Sequence, residues 1–107
     1  MPEPNGSAEM IERFAAQLTE GGKHSENTIA AYSQDAEAFA TWLAGEGGTL
    51  LSVTSTQVQT WIDQRTKRGP RSAGRKLSAL RGMYKFLLAE NLIESDPTTG
   101  VKMPPTP

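Results

Sequence analysis

Apolar residues recur every three or four positions in four separate segments, and this spacing constrains the fold more than any other feature of the sequence. The clearest case is the second segment, whose apolar positions are Ile29, Tyr32, Ala36, Phe39 and Leu43. Such spacing places these side chains on one face of an α-helix. No segment keeps the alternation of a half-buried strand. The sequence therefore predicts an all-α fold, a compact four-helix bundle with a short extra turn near the C-terminus.

Residues that cap or interrupt helices mark the expected helix ends. Ser7 and Ser25 are predicted N-caps of the first two helices, and Thr54 with Gln57 predicts a capping box at the start of the third. Glycines or asparagine follow each helix, as is common at C-terminal ends. The first two helices are predicted at 7–20 and 25–44. The third is predicted from the Thr54 cap to Gly69-Pro70, and the fourth from after Ser72 to Glu90. Asn91 is expected to end the fourth helix, and Asp96-Pro97 to begin the last turn.

The fourth helix combines an apolar stripe with a basic surface. At about 100° per residue, its buried stripe centres on Leu77 and includes Leu80, Tyr84, Leu87 and Leu88. Arg75 is then expected on the opposite face, and Phe86 points away from the stripe. Gly74 and Gly82 are either simply tolerated or keep the helix surface low for close approach by a partner.

The small net charge of −1 conceals two halves of opposite sign. Residues 1–64 hold two basic and nine acidic residues, a balance of −7, whereas residues 65–107 hold nine basic and three acidic residues, a balance of +6. Residues 65–85 contain eight cations and no acid: Arg65, Lys67, Arg68, Arg71, Arg75, Lys76, Arg81 and Lys85. Their mutual repulsion favours an anionic partner, although a solvated surface is the alternative.

Several chemical classes find no support in the composition. Without cysteine, the chain has no disulfide or thiolate, and a single histidine rules out a metal site built on two imidazoles. No nucleophile, base and oxyanion donor come together, so we predict neither an enzyme nor a cofactor. No apolar run is long enough to span a membrane, and the acidic N-terminus does not resemble a secretion signal. A cytoplasmic protein is expected.

Three motifs in order carry a resemblance to a known family. They are the runs 25–35, continuing to Phe39 and Leu43, then 75–87, then 91–97. Together they resemble the N-terminal core-binding domain of tyrosine recombinases, the phage integrase and Xer-type family, over about residues 8–105.

This resemblance implies a SAM-like domain that forms half of a clamp around duplex DNA, with its second and fourth helices facing the DNA. It also implies recombinase subunits as partners, a monomeric isolated domain, and catalytic residues in a second domain that is absent from this chain. The expected boundaries are a disordered segment 1–6, the core-binding domain 7–101 and an interdomain linker 102–107. The implied DNA contacts are Lys23, Ser25, Asn27, Thr28, Arg71, Ser72, Arg75, Lys76 and Arg81.

Two departures from the family shift the expected affinity onto the fourth helix. Many relatives carry basic residues after the tyrosine of the second helix, where this chain has Ser33-Gln34, and the first half is strongly acidic. Two alternative functions remain open: a helical protein-interaction module with a basic face, and a free-standing helix-turn-helix regulator.

Overall fold

The computed structural model describes residues 6–105, which form four α-helices joined by short connections. The helices are α1 (Ser7–Gly21), α2 (Glu26–Gly45), α3 (Ser55–Thr66) and α4 (Pro70–Ala89). No strand occurs in this range, so the all-α, four-helix prediction is confirmed. None of these helices combines the length and apolar character needed to cross a membrane.

Local capping chemistry explains three of the helix ends. The Ser25 hydroxyl accepts the backbone N–H of Thr28 at 3.1 Å. The Thr54 hydroxyl accepts the Gln57 N–H at 3.2 Å, while the Gln57 side chain accepts the Thr54 N–H at 2.9 Å, which completes the predicted capping box. Asn91 ends α4 in the left-handed conformation, with φ of 58°.

Two predicted helix boundaries are wrong. Ser7 does not cap α1 but is its first residue, and the cap is Gly6, whose φ of 66° suits glycine. Gly69-Pro70 does not close α3, which ends at Thr66, but opens α4. Proline fits there because the first helical position needs no N–H donor. The predicted disordered segment lies outside the described residues except for Gly6.

α4 is the central element, because it packs against all three other helices. Phe14 from α1, Phe39 from α2, Trp61 from α3 and Tyr84 from α4 are all buried in one core. The rings of Phe39 and Trp61 lie 5.0 Å apart between centroids. The bundle therefore closes around aromatic side chains from every helix.

The buried face of α4 is rotated from the predicted one. Leu77 lies at the edge of the buried arc, which runs through Leu80 and Leu87 to Met83. At about 100° per residue, the centre of this arc lies about 60° from Leu77. Leu88 is consequently 38% exposed, and Phe86 packs partly buried against the core. The buried face differs from the prediction because α4 contacts three helices, whereas the prediction assumed a single apolar stripe.

Both glycines within α4 lie next to side chains of this chain. A Cβ at Gly82 would lie 3.4 Å from the Phe14 ring of α1. A Cβ at Gly74 would lie 3.4 Å from the sulfur of Met103. Side chains of this chain, not a partner, are therefore the nearest neighbours of both glycines within the described residues.

The segment after α4 folds back onto α3 and α4. Asp96 accepts the Thr98 N–H at 2.8 Å, which forms the predicted extra turn. Val101 and Pro104 are buried, and the Lys102 N–H donates to the Gln59 side chain at 3.1 Å. The linker predicted at 102–107 stays a prediction, with residues 106–107 outside the described range.

Candidate nucleic-acid interface

The start of α2 presents four of the candidate residues. Lys23, Ser25 and Asn27 are exposed, and Thr28 is half-buried. The Ser25 hydroxyl also donates to the Thr28 hydroxyl at 3.0 Å, so both side chains already serve the helix cap. Lys23 and Asn27 keep free polar groups, because no hydrogen bond or ion pair to residues 6–105 involves their side chains.

A carboxylate that is not among the predicted DNA contacts organises the α4 candidates. Asp35 of α2 is buried, with its side chain only 4% exposed. Its two oxygens accept the Arg75 Nε–H at 2.9 Å and an Arg75 Nη2–H at 3.0 Å. Lys76 Nζ donates to Asp35 at 3.1 Å and to the Ser72 hydroxyl, also at 3.1 Å. We call Asp35, Ser72, Arg75 and Lys76 the Asp35 network.

The Asp35 network has a net positive charge. One carboxylate faces two cations, which leaves a balance of +1. The hydrogen bonds to Asp35 are the main reason that the pKa of Arg75 is raised above its ordinary value, although partial burial opposes them. The Arg75 side chain is 48% exposed, so it remains charged and reachable from solvent.

This arrangement corrects the predicted placement of Arg75. The prediction placed Arg75 on the face of α4 opposite the buried stripe, but its side chain reaches α2 along one edge of its guanidinium group. The face of α2 that leads to it consists of Ser25, Thr28, Tyr32 and Asp35, at spacings of three and four residues. From Ser25 to Asp35 this face extends about 15 Å.

Two candidates lie apart from the Asp35 network. Arg81 Nη2 donates to the Val101 carbonyl at 3.0 Å, so this side chain holds the C-terminal segment. Lys23 lines a groove of about 530 Å³ between α1 and α4, together with Phe14, Lys85 and Phe86. The structure thus brings Ser72, Arg75 and Lys76 together, with Arg71 one turn before Arg75, and leaves Arg81 and Lys23 outside.

Sequence reasoning missed two arginines beside the Asp35 network. Arg65 and Arg68 line a cleft of about 220 Å³ with Gly69, Ser72 and Lys76, where α3 meets α4. The Arg65 guanidinium lies 5.5 Å from the Trp61 ring centroid, and its buried Nε has no partner in the described chain. Both residues belong to the acid-free run 65–85, but the family resemblance implied DNA contacts from the second and fourth helices alone.

Arg71 is an available cation of this surface. It is exposed and has no ion-pair or hydrogen-bond partner within residues 6–105. It lies in the first turn of α4, where backbone N–H groups lack helical partners and the helix dipole favours an anion. The surface formed by Arg65, Arg68, Arg71 and the Asp35 network can therefore hold several phosphate groups. We call it the basic surface.

Comparison with known proteins matches the chain to one family. The model of the phage integrase N-terminal SAM-like domain matches residues 11–91. The chain is 33% identical over 100 residues to tyrosine recombinase XerD of Yersinia pestis, covering 92% of this chain and 33% of the relative. It is 35% identical over 97 residues to XerD of Pseudomonas aeruginosa, covering 89% of this chain and 33% of the relative.

The matches cover nearly all of this chain but about a third of each relative. The family match includes all of α2, α3 and α4, and it begins inside α1. The predicted resemblance is thereby confirmed. The chain belongs to the family of phage integrase N-terminal SAM-like domains.

Proposed function

We propose that this domain binds duplex DNA through the basic surface and the adjoining face of α2, as the DNA-binding part of a site-specific tyrosine recombinase. The observation that carries the proposal is the clustering of Arg71, Arg75 and Lys76 on the first half of α4. Only one carboxylate, Asp35, pairs with them in the described chain, and it is buried beneath them. The excess positive charge therefore faces outward.

The proposed binding depends mainly on neutralising phosphates. Arginine and lysine release counterions condensed on the duplex, so affinity falls as salt rises. Arg75 and Arg71 suit phosphate oxygens because guanidinium groups donate two hydrogen bonds in one plane. Contacts of this kind fix the position of the protein on DNA and carry little sequence information.

The relatives support a place for this domain in a larger protein. Two of the matched proteins are named tyrosine recombinases, and each is about three times as long as the matched region. We assign the recombination chemistry to the part of such a protein that this chain does not cover. In that assembly α2 and α4 supply half of a clamp around the duplex, and other recombinase subunits are the protein partners.

The test compares two arginine substitutions that change the net charge equally. Arg71 lies on the basic surface, whereas Arg13 lies on α1 and pairs with Glu90. We expect Arg71→Ala to weaken binding to a mixed-sequence duplex and to lower the log–log salt slope by about 0.9. Arg13→Ala should leave both quantities near the wild-type values.

Fluorescence anisotropy at several salt concentrations measures both effects, and circular dichroism checks that each variant folds. If the two substitutions weaken binding equally, net charge alone governs the interaction and the proposed surface is wrong. If the wild-type domain binds no duplex even in dilute buffer, the proposed function is wrong.

A further inference from the structure

We infer that Asp35 is a positioning residue for DNA binding, which holds the Arg75 guanidinium in the orientation that meets a phosphate. The inference rests on the proposed function and adds a residue that makes no DNA contact itself. Asp35 is acidic and buried, so neither its charge nor its exposure suggests a part in binding a polyanion. Its role follows from what it does to Arg75.

The two hydrogen bonds fix the plane of the guanidinium group. Asp35 Oδ2 accepts from Nε and Oδ1 accepts from Nη2, at 2.9 Å and 3.0 Å, so one edge of the group is docked on α2. An arginine has five N–H groups, and these bonds use two of them, which leaves three. The remaining edge belongs to a side chain that is 48% exposed. A held guanidinium with a free edge is prepared to bind a second anion.

Holding the side chain in advance lowers the entropic cost of binding. A free arginine samples many rotamers and loses them when it binds a phosphate. Arg75 has already lost this freedom in the folded domain, because Asp35 is itself fixed within the α2–α4 contact. Lys76 bonds the same carboxylate, so the network stays cationic after one of its charges is neutralised.

The alternative is that Asp35 only joins α2 to α4. The two ideas predict opposite signs when the carboxylate charge is removed. A purely structural Asp35 weakens DNA binding through its negative charge, so Asp35→Asn should tighten binding. If Asp35 positions Arg75, full DNA affinity requires its carboxylate, and Asp35→Asn should weaken binding by about five- to tenfold.

Glu37 provides the matched control for this experiment. It lies two residues away on α2, is exposed, and makes no ion pair within the described chain. Glu37→Gln removes the same charge without touching Arg75, and we expect equal or tighter binding. The probe is a mixed-sequence duplex of about two helical turns, titrated below the melting temperature of each variant. An Asp35→Asn domain that binds as tightly as the Glu37→Gln domain overturns the inference.

A double variant tests whether Asp35 acts through Arg75. In the Arg75→Ala background, Asp35→Asn should cause no further loss, because the group that it positions is gone. A full additional loss in that background overturns the inference. Failure of the wild-type domain to bind the duplex would overturn the proposed function instead, so the two failures are distinct.

A measurement on the wild-type protein covers the case in which Asp35→Asn fails to fold. The Arg75 Nε–H should give a protected NMR signal in the free domain, because Asp35 accepts it. On saturation with duplex that protection should persist while the Nη signals shift. Loss of Nε–H protection on binding would mean that the guanidinium leaves Asp35 to reach the DNA, which overturns the inference.

Discussion

Tyr84 shows how strongly a single side chain can be tied to the folded state. It is fully buried, and its hydroxyl donates a hydrogen bond of 2.9 Å to the Leu50 carbonyl, in the connection between α2 and α3. Burial raises the pKa of the phenol, with a smaller contribution from the charge of Asp96. The neutral form is therefore the one that the fold accepts.

Tyr84 should make stability fall in alkaline solution. Its pKa is raised on folding, so its contribution is intact below the unfolded pKa of about 10 and is lost as the pH rises beyond it. In that range one such group lowers the free energy of unfolding by about 1.4 kcal/mol per pH unit. Tyr84→Phe should lower the free energy of unfolding by about 1 kcal/mol at neutral pH. Above about pH 10, the free energy of unfolding of this variant should fall less steeply with pH than that of the wild type. Urea unfolding of the wild type and the variant at several pH values measures both effects. If their unfolding free energies change in parallel above about pH 10, the prediction is wrong.

Residue-scale features were predictable where their cause is local. Ser25, Thr54 and Asn91 act on backbone groups within a few positions, so sequence alone identified their roles. The Arg75 to Asp35 pair joins residues 40 positions apart, and no local pattern specifies it. Asp35 is the last residue of the first motif, 25–35, but no residue within a few positions of it predicts a bond to α4.

At the scale of elements, α4 explains both the success and the error of the sequence analysis. Its length and stop were close to the prediction, because Asn91 and the apolar spacing define them. The predicted orientation of its buried face was wrong. Apolar periodicity predicts that a helix has a buried face, but it does not predict how many neighbouring helices contact that face. Three helices contact α4, and together they bury a wider arc than one stripe predicts.

Two leucines of α4 test the corrected rotation. Leu80 is fully buried, whereas Leu88 is 38% exposed. We expect Leu80→Ala to lower the free energy of unfolding by about 2–5 kcal/mol, because it removes buried apolar volume. Leu88→Ala should cost less than about 0.5 kcal/mol, as is usual for surface sites. Chemical denaturation of both variants measures the difference, and similar losses would favour the original rotation.

For the molecule as a whole, charge distribution matters more than net charge. A domain of net charge −1 is not expected to attract DNA, yet residues 65–85 carry eight cations without an acid. Folding concentrates part of this run on the first half of α4 and uses Arg81 for an internal bond. The basic run could be predicted from the sequence. Which of its cations remain free to bind a partner could not, because this depends on contacts between residues that are distant in the chain.

The salt dependence of binding reports how many cations take part. Four phosphate contacts give a log–log slope of about −3.6 in duplex affinity against salt. We expect this slope for the intact domain, with the contacts supplied by the basic surface. Titrations between low and moderate salt measure it. A slope near zero would contradict phosphate neutralisation and would favour the protein-interaction alternative.

The central position of α4 has a practical consequence for genetics. From the proposed function, we expect a screen for loss of DNA binding to recover substitutions along the whole length of α4, for two unrelated reasons. We expect changes at Arg71 to give normal amounts of protein with weaker DNA binding, and changes at Leu80 or Tyr84 to lower the amount of folded protein. Protein abundance in each mutant separates the two classes, and only the first class would map the proposed DNA-binding surface.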